Sequence, residues 1–135
     1  MKTKTISITI LLAVLLMATF AVTLKSTDAS SGTRTIKVPD DYQKIQDAVN
    51  AAKPGDRIVV KAGTYNEENV DLDKPVYLFG DNKQSVIIYH SSLGFAITAN
   101  NVHLAGLTIT SIEAGQGHTV DLADSRGCII EDNLI

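Results

Sequence analysis

The chain has 135 residues, with 15 acidic and 12 basic side chains, one cysteine, no tryptophan and 5% aromatic residues. This length is enough for one domain or for part of one. The formal net charge of −3 excludes a polybasic nucleic-acid-binding protein and an acidic disordered tail. A single cysteine excludes an internal disulfide scaffold and a cysteine-rich zinc module.

The first segment of the chain predicts export. Lys2 and Lys4 precede an apolar run over residues 6–24, and small polar residues follow it. This order is typical of a secretory signal peptide, which we expect to cover residues 1–29. An uncleaved membrane anchor is the alternative, because the run is just long enough to span a bilayer. In both cases residues 30–135 are expected to be secreted, periplasmic or on the cell surface.

The charge of the exported part limits its partners. Three of the 12 basic and one of the 15 acidic side chains lie in residues 1–29, so the rest of the chain is more acidic than the whole. An acidic domain is a poor partner for nucleic acids and for anionic membranes. We therefore expect no nucleic-acid partner, and a membrane contact only through residues 1–29 if they are not cleaved.

One helix is predicted near the start of the exported part. Residues 35–38 alternate in polarity and stop at Pro39, which predicts a short strand. A helix is predicted over residues 42–52, with Asp40 and Asp41 as its capping residues. Its apolar residues recur at spacings of three and four, at Tyr42, Ile45, Ala48, Val49 and Ala52. So short a helix needs a surface to pack on.

The remainder of the chain repeats. Apolar triads begin at residues 70, 95 and 120, and a second set of triads begins at residues 76, 102 and 128. The intervals of 25 and 26 residues are too long for hairpins and contain no helix, so successive repeats are expected to stack in parallel as a solenoid. Gly80, Gly106 or Asp132 follows each triad of the second set, which predicts a left-handed bend there.

The alternation within the triads predicts the core. The outer members of each triad should point inward and the middle member outward. The predicted inner set is apolar throughout: Val70, Leu72, Val76, Leu78, Phe95, Ile97, Val102, Leu104, Val120, Leu122, Cys128 and Ile130. The helix would cap the first coil, and no cap follows the last coil. We therefore expect residues 30–135 to be the N-terminal part of a longer solenoid, able to self-associate through its open C-terminal coil.

Several strings resemble one fold family. They are Ile-Gln-Asp-Ala-Val at 45–49, Pro-Gly-Asp at 54–56, Ala-Gly-Thr-Tyr at 62–65, and the segments 101–106 and 124–133. They are similar to the opening and the coil repeats of right-handed parallel β-helix proteins of the pectin-lyase-like, NosD-like type. The resemblance implies an all-β solenoid with one N-terminal capping α-helix in an exported or cell-surface protein. It does not select an activity, because these coils carry many functions.

The catalytic groups of the enzymes in this family are incomplete here. Pectinesterases place a glutamine before a strand, where this chain has His118 with Gln116 nearby. Their next catalytic segment has a Gln-Asp pair, where this chain has Asp132-Asn133. An acyl-transfer site needs a base, an acid and oxyanion donors together. We therefore predict no catalytic residues in this chain.

Metal-binding chemistry is not predicted either. Asp71 and Asp121 share one outward face but lie two coils apart, about 10 Å, which is too far for one shared calcium ion. The histidines His90, His103 and His118 are spaced by 13 and 15 residues, unlike the repeat, so we expect separate exposed or loop side chains. No metal site and no cofactor are therefore predicted.

The remaining candidate residues have structural interpretations. Cys128 is expected to be a core thiol, and Arg126, the only basic residue of the late coils, is expected in a turn. Tyrosines could stack on sugar rings if some of them line one face: Tyr42, Tyr65, Tyr77 and Tyr89.

Two functions are therefore open. The first is a non-catalytic exported β-helix that acts as a surface scaffold and contacts polysaccharide. The second is the N-terminal part of a polysaccharide-active enzyme, a lyase, a hydrolase or a pectinesterase-like protein, with its catalytic coils beyond residue 135. No ligand-binding residues are assigned from the sequence.

Overall fold

The computed structural model describes residues 32–113 and 118–135. The predicted signal peptide, residues 1–29, lies outside these residues. In chain order the elements are β1 Thr35–Val38, α1 Ile45–Ala51, β2 Arg57–Val60, β3 Gly63–Asn66, β4 Val70–Leu72, β5 Tyr77–Gly80, β6 Val86–His90, β7 Leu93–Ile97, β8 His103–Ala105, β9 Thr108–Ser111, β10 His118–Leu122 and β11 Ile129–Glu131. No helix within the described ranges is long and apolar enough to cross a membrane.

The strands form three parallel sheets that wind into a β-solenoid of about 4 turns. Sheet 1 has the order β1-β2-β5-β8-β11, sheet 2 the order β4-β7-β10, and sheet 3 the order β3-β6-β9. The two predicted sets of triads lie in sheets 2 and 1. Phe95 pairs with Val70 and Val120, and Leu104 pairs with Leu78 and Ile130. The predicted repeat is therefore confirmed residue by residue.

The core follows from the alternation along each strand. Val70, Leu72, Phe95 and Ile97 of sheet 2 are fully buried, and so are Val76, Leu78 and Leu104 of the sheet 1 coils. Burial of one such side chain stabilises the fold by about 1.5–3 kcal/mol, so the stacked coils stabilise one another. In the last coil Val120, Cys128 and Ile130 are only partly buried and Leu122 is 50% exposed. These side chains contact the preceding coil on one side alone.

Helix α1 is shorter than predicted, and its predicted capping residues were wrong. It begins at Ile45, and its N-cap residue Lys44 makes no side-chain hydrogen bond to the helix. Asp41 instead accepts a hydrogen bond from the amide of Lys37 at 2.7 Å, so residues 39–42 form a turn that folds against the open edge of β1. This turn blocks a strand edge that would otherwise have unpaired backbone groups.

Glu67, just after the end of β3, supplies the hydrogen bond that Asp40 and Asp41 do not. Its Oε1 accepts a hydrogen bond from the amide of Ile45 at 2.8 Å, and the residue is only 6% exposed. Burial raises the pKa of Glu67, and the hydrogen bond from Ile45 offsets part of that increase. The helix start is therefore held by a neighbouring coil rather than by its own sequence.

The predicted capping role of the helix is confirmed. Gln46 Oε1 accepts a hydrogen bond from the amide of Asp71 in β4 at 2.7 Å, and Lys74 Nζ donates to the carbonyl of Val49 at 3.1 Å. The buried face of α1 packs against β1, β2 and β4. The helix thus covers the first strand of sheet 2 and satisfies one of its edge groups.

Asp56 holds the residues before β1 to the residues after α1. Its carboxylate accepts hydrogen bonds from the amides of Arg34 at 3.0 Å and Lys53 at 2.9 Å, and the Arg34 guanidinium lies 3.2 Å from Oδ2. Burial of Asp56 opposes its ionisation. The hydrogen bonds and the charge of Arg34 outweigh burial and hold the pKa of Asp56 below its ordinary value.

The bends after the sheet 1 strands are partly as predicted. Gly106 and Asp132 are left-handed, with φ of 73° and 51°. Gly80 is not left-handed, so that part of the prediction was wrong. A Cβ added to Gly80 would lie 2.0 Å from the carbonyl oxygen of Gly106 in the next coil. Glycine is required at this position by the close approach of two backbones.

Candidate functional site

The outward face of sheet 3 carries a row of side chains able to form hydrogen bonds. Asn66, Tyr89 and Thr110 occupy the same position in β3, β6 and β9, and we call them the polar column. Strand spacing places successive members about 4.8 Å apart. Asn66 is exposed and the other two are half-buried. Within the part of the chain that the structure describes, these three side chains make no hydrogen bonds.

A second outward row lies beside the polar column and is less available for binding. It consists of Thr64, Ile87 and Thr108. The hydroxyl of Thr108 donates a hydrogen bond to the carbonyl of Lys83 at 2.6 Å, while Ile87 adds an apolar surface. Neither row contains an ionisable group other than the tyrosine phenol. The sheet 3 face therefore offers one aromatic ring, one amide and several hydroxyls without a formal charge.

The outward face of sheet 1 differs, because its polar groups bind one another. The Arg57 guanidinium lies 4.9 Å from the centre of the Phe79 ring, and the His103 ring meets Phe79 edge-on at 4.9 Å. His103 Nε2 lies 2.9 Å from Glu131 Oε1, and Tyr77 stands beside both rings. This sheet 1 network runs across four strands and stabilises the stacking of the coils.

The outward face of sheet 2 carries two separate carboxylates. Asp71 and Asp121 both pair with Ala96, from opposite sides, so they are two strands apart as expected. The Thr98 hydroxyl donates to Asp71 Oδ1 at 3.1 Å. Among the described residues no group of three His, Cys, Asp or Glu side chains is arranged to hold a metal ion.

The histidines are placed partly as expected. His103 points outward in the column of Tyr77 and Ile129, and His118 is exposed at the start of β10. His90 contradicts the expectation of an exposed or loop side chain. It is 1% exposed at the end of β6, and neither ring nitrogen has a hydrogen-bond partner among the described residues. Its alternation with Val86 and Ile88 could have revealed this inward position.

The other candidate residues lie apart from one another. Cys128 is half-buried as a free thiol, with Sγ 3.4 Å from the Ala99 carbonyl oxygen. Arg126 lies in a loop, where its amide donates to Asn100 Oδ1. Gln116 lies outside the described residues. Asp132 forms an ion pair with Lys83.

The tyrosines do not line a single face. Tyr65 is in the core, and its hydroxyl donates to the Lys61 carbonyl at 2.8 Å. Tyr42 packs against the core beside α1. Tyr77 and Tyr89 point outward, but from sheets 1 and 3. Tyr89 is therefore the tyrosine that stands among unpaired polar groups of the described chain.

A groove beside β1 is a weaker candidate for binding. Arg34, Asp40, Asp41 and Tyr42 contribute to its lining. Its charged groups already have partners, because Arg34 pairs with Asp56 and Asp40 pairs with Lys61. Asp41 is held by the amide of Lys37.

The fold and its faces define a parallel β-solenoid with three chemically different outer surfaces. No protein-family model, curated protein or solved structure matches the chain. The functional argument therefore depends on the surfaces themselves.

Proposed function

We propose that the chain is a non-catalytic, exported β-helix of the pectin-lyase-like, NosD-like type that acts as a surface scaffold and contacts carbohydrate through sheet 3. The polar column of Asn66, Tyr89 and Thr110 is the observation that carries this proposal. The pattern of residues 1–29 supports export to a secreted, periplasmic or cell-surface location.

The chemistry of the polar column suits a neutral sugar chain. An aromatic ring offers a flat apolar surface on which the C–H face of a pyranose can lie. The amide of Asn66 and the hydroxyl of Thr110 flank Tyr89 and can exchange hydrogen bonds with sugar hydroxyls. Their spacing is fixed by the parallel ladder, which includes the Glu67 amide donating to the Tyr89 carbonyl at 3.0 Å. A ligand therefore does not have to order the backbone on binding.

Glycan binding by a variant of the central ring tests the proposal. We expect Tyr89→Ala to weaken binding of soluble neutral polysaccharides by about five- to tenfold, since an aromatic contact contributes about 1 kcal/mol. Tyr77→Ala is the matched control, because it removes the same side chain from the outward face of sheet 1. Isothermal titration in dilute protein, with neutral glycans and polyuronates, measures both variants.

The outcomes separate the two functions. Equal affinity of wild type and Tyr89→Ala, or no heat with any glycan, contradicts a carbohydrate contact on sheet 3. Cleavage of the same glycans, detected as new reducing or unsaturated ends, would instead support the polysaccharide-active enzyme.

A further inference from the structure

The outward face of sheet 1 has opposite charges at its two ends. Lys37 in β1 and Arg57 in β2 are exposed, and neither has an ion-pair partner among the described residues. Glu131 in β11 is 61% exposed at the other end and uses one carboxylate oxygen for His103. The aromatic residues of β5 lie between these ends, and Tyr77 is 41% exposed. The face thus runs from cations through aromatic rings to a carboxylate.

We propose that this face binds the same face of a second copy of the chain. A two-fold axis that runs parallel to the strands, between two facing sheets and beneath β5, places β1 opposite β11 and β2 opposite β8. Such an interface is isologous, so each contact occurs twice. Lys37 of one copy then lies opposite Glu131 of the other, and the two β5 strands face each other.

The dimensions of facing sheets permit these contacts. Two packed sheets are about 10 Å apart, a gap that an extended lysine and an extended glutamate span together. Lys37 and Glu131 occupy the same outward row, which also contains Val59, Phe79 and Ala105. The rotation keeps the position along the strand unchanged, so the lysine and the carboxylate meet at the same height. Arg57 lies opposite His103 in the neighbouring row.

The alternative two-fold arrangement brings like charges together. An axis parallel to the solenoid places each strand opposite its own copy. The cations of β1 and β2 then crowd the same cations, and the two Glu131 side chains approach each other. Charge complementarity therefore selects the axis parallel to the strands.

The size of the face predicts a weak dimer. Five strands span about 19 Å and four residues span about 13 Å, which gives a footprint of about 250 Å² per copy. Stable interfaces bury about 800 Å² per partner, so the association should be reversible and depend on concentration. The polar column lies on another sheet, so a dimer would carry two carbohydrate-contacting surfaces and bind repeated glycans more tightly than one copy.

Charge reversal followed by mixing tests the proposal. Lys37→Glu alone places two carboxylates opposite each other in its dimer, and Glu131→Lys alone places two ammonium groups opposite each other. In a heterodimer of the two variants, one of the symmetry-related pairs has its charges exchanged and the other is the native pair of Lys37 and Glu131, so both pairs are attractive. We expect each variant alone to associate at least about tenfold more weakly than wild type, and the equimolar mixture to return to within about threefold of it.

The measurement is sedimentation velocity of the exported product of the complete sequence, from about 10 µM to about 1 mM protein, a range chosen for weak affinities. Lys53→Glu is the control, because Lys53 is exposed after α1, has no ion pair among the described residues and should leave association unchanged. Recovery in the mixture also shows that both variants are folded. Failure of the mixture to recover, or unchanged association of both single variants, overturns the proposal. Association that disappears with Leu134→Asp alone would place the contact at the open coil instead.

Discussion

Gly80→Ala tests how closely the coils are stacked. The added Cβ would lie 2.0 Å from the Gly106 carbonyl oxygen and 2.8 Å from Leu107 Cδ2. The nearest atom belongs to the backbone of the next coil, so two coils must separate by more than about 1 Å to reach van der Waals distance. Overpacking of a well-packed interior costs about 1–3 kcal/mol, and the upper end applies because the backbone must move. For a domain of this size, about 3 kcal/mol lowers Tm by about 10–20 °C.

Two other glycines are matched controls for Gly80. Gly55 has φ of 89° with no atom within 4 Å of its hypothetical Cβ, so Gly55→Ala should cost about 1–2 kcal/mol through backbone strain alone. Gly63→Ala should cost less than about 1 kcal/mol, because its nearest neighbour is the Tyr65 ring at 3.3 Å. Thermal unfolding followed by circular dichroism ranks the three variants. A Gly80→Ala variant that unfolds within about 2 °C of wild type would refute the close approach of these coils.

The buried carboxylates give two further predictions. Asp56→Ala should lower the free energy of unfolding at pH 7 by about 3 kcal/mol, because two amide donors lose a charged acceptor, whereas Asp73→Ala, at an exposed pair with Lys74, should cost less than about 1 kcal/mol. Because its pKa is lowered on folding, the contribution of Asp56 is complete above its ordinary pKa of 3.8 and disappears as the pH falls through the folded-state pKa. A penalty that stays constant in denaturant titrations from pH 7 to about pH 2.5 would contradict this. Glu67 has the opposite sign, since burial raises its pKa, so its ionisation should reduce stability as the pH rises from 4.5 through the folded-state pKa. Glu67→Gln retains an acceptor for the Ile45 amide and should remove that decrease, and an unchanged pH profile would show that the buried charge does not matter.

The repeat was predictable from sequence because sheets 1 and 2 have nearly constant intervals. Sheet 3 was not assigned, because its rows recur unevenly. Asn66 and Tyr89 are 23 residues apart, whereas Tyr89 and Thr110 are 21 apart. The turns at the two corners of sheet 3 differ in length from coil to coil, so a period of 25 or 26 does not reveal its columns. The candidate site lies on the one sheet that the sequence period did not identify.

The errors near the start of the chain have a common physical cause. Asp40 and Asp41 have the sequence context of capping residues, but the edge of β1 takes Asp41 and Lys61 takes Asp40. The acceptor that does reach the helix, Glu67, lies 22 residues away in the sequence. Local patterns predict local hydrogen bonds, whereas a solenoid brings the first turn of a helix against the end of a neighbouring coil.

The inward and outward positions of this fold record different constraints. Inward side chains must be apolar in every coil, so they repeat and identify the fold without identifying a ligand. Outward side chains need only keep the strand soluble and paired, which leaves them free to differ between sheets. The sheet 1 network uses that freedom to join coils, while the polar column leaves an amide, a phenol and a hydroxyl without partners among the described residues. Unpaired polar groups on a rigid sheet gain more from a ligand than groups that already bind one another, because a ligand need not break existing hydrogen bonds. That difference is why Tyr89, rather than Tyr77, is the residue whose loss should weaken carbohydrate binding.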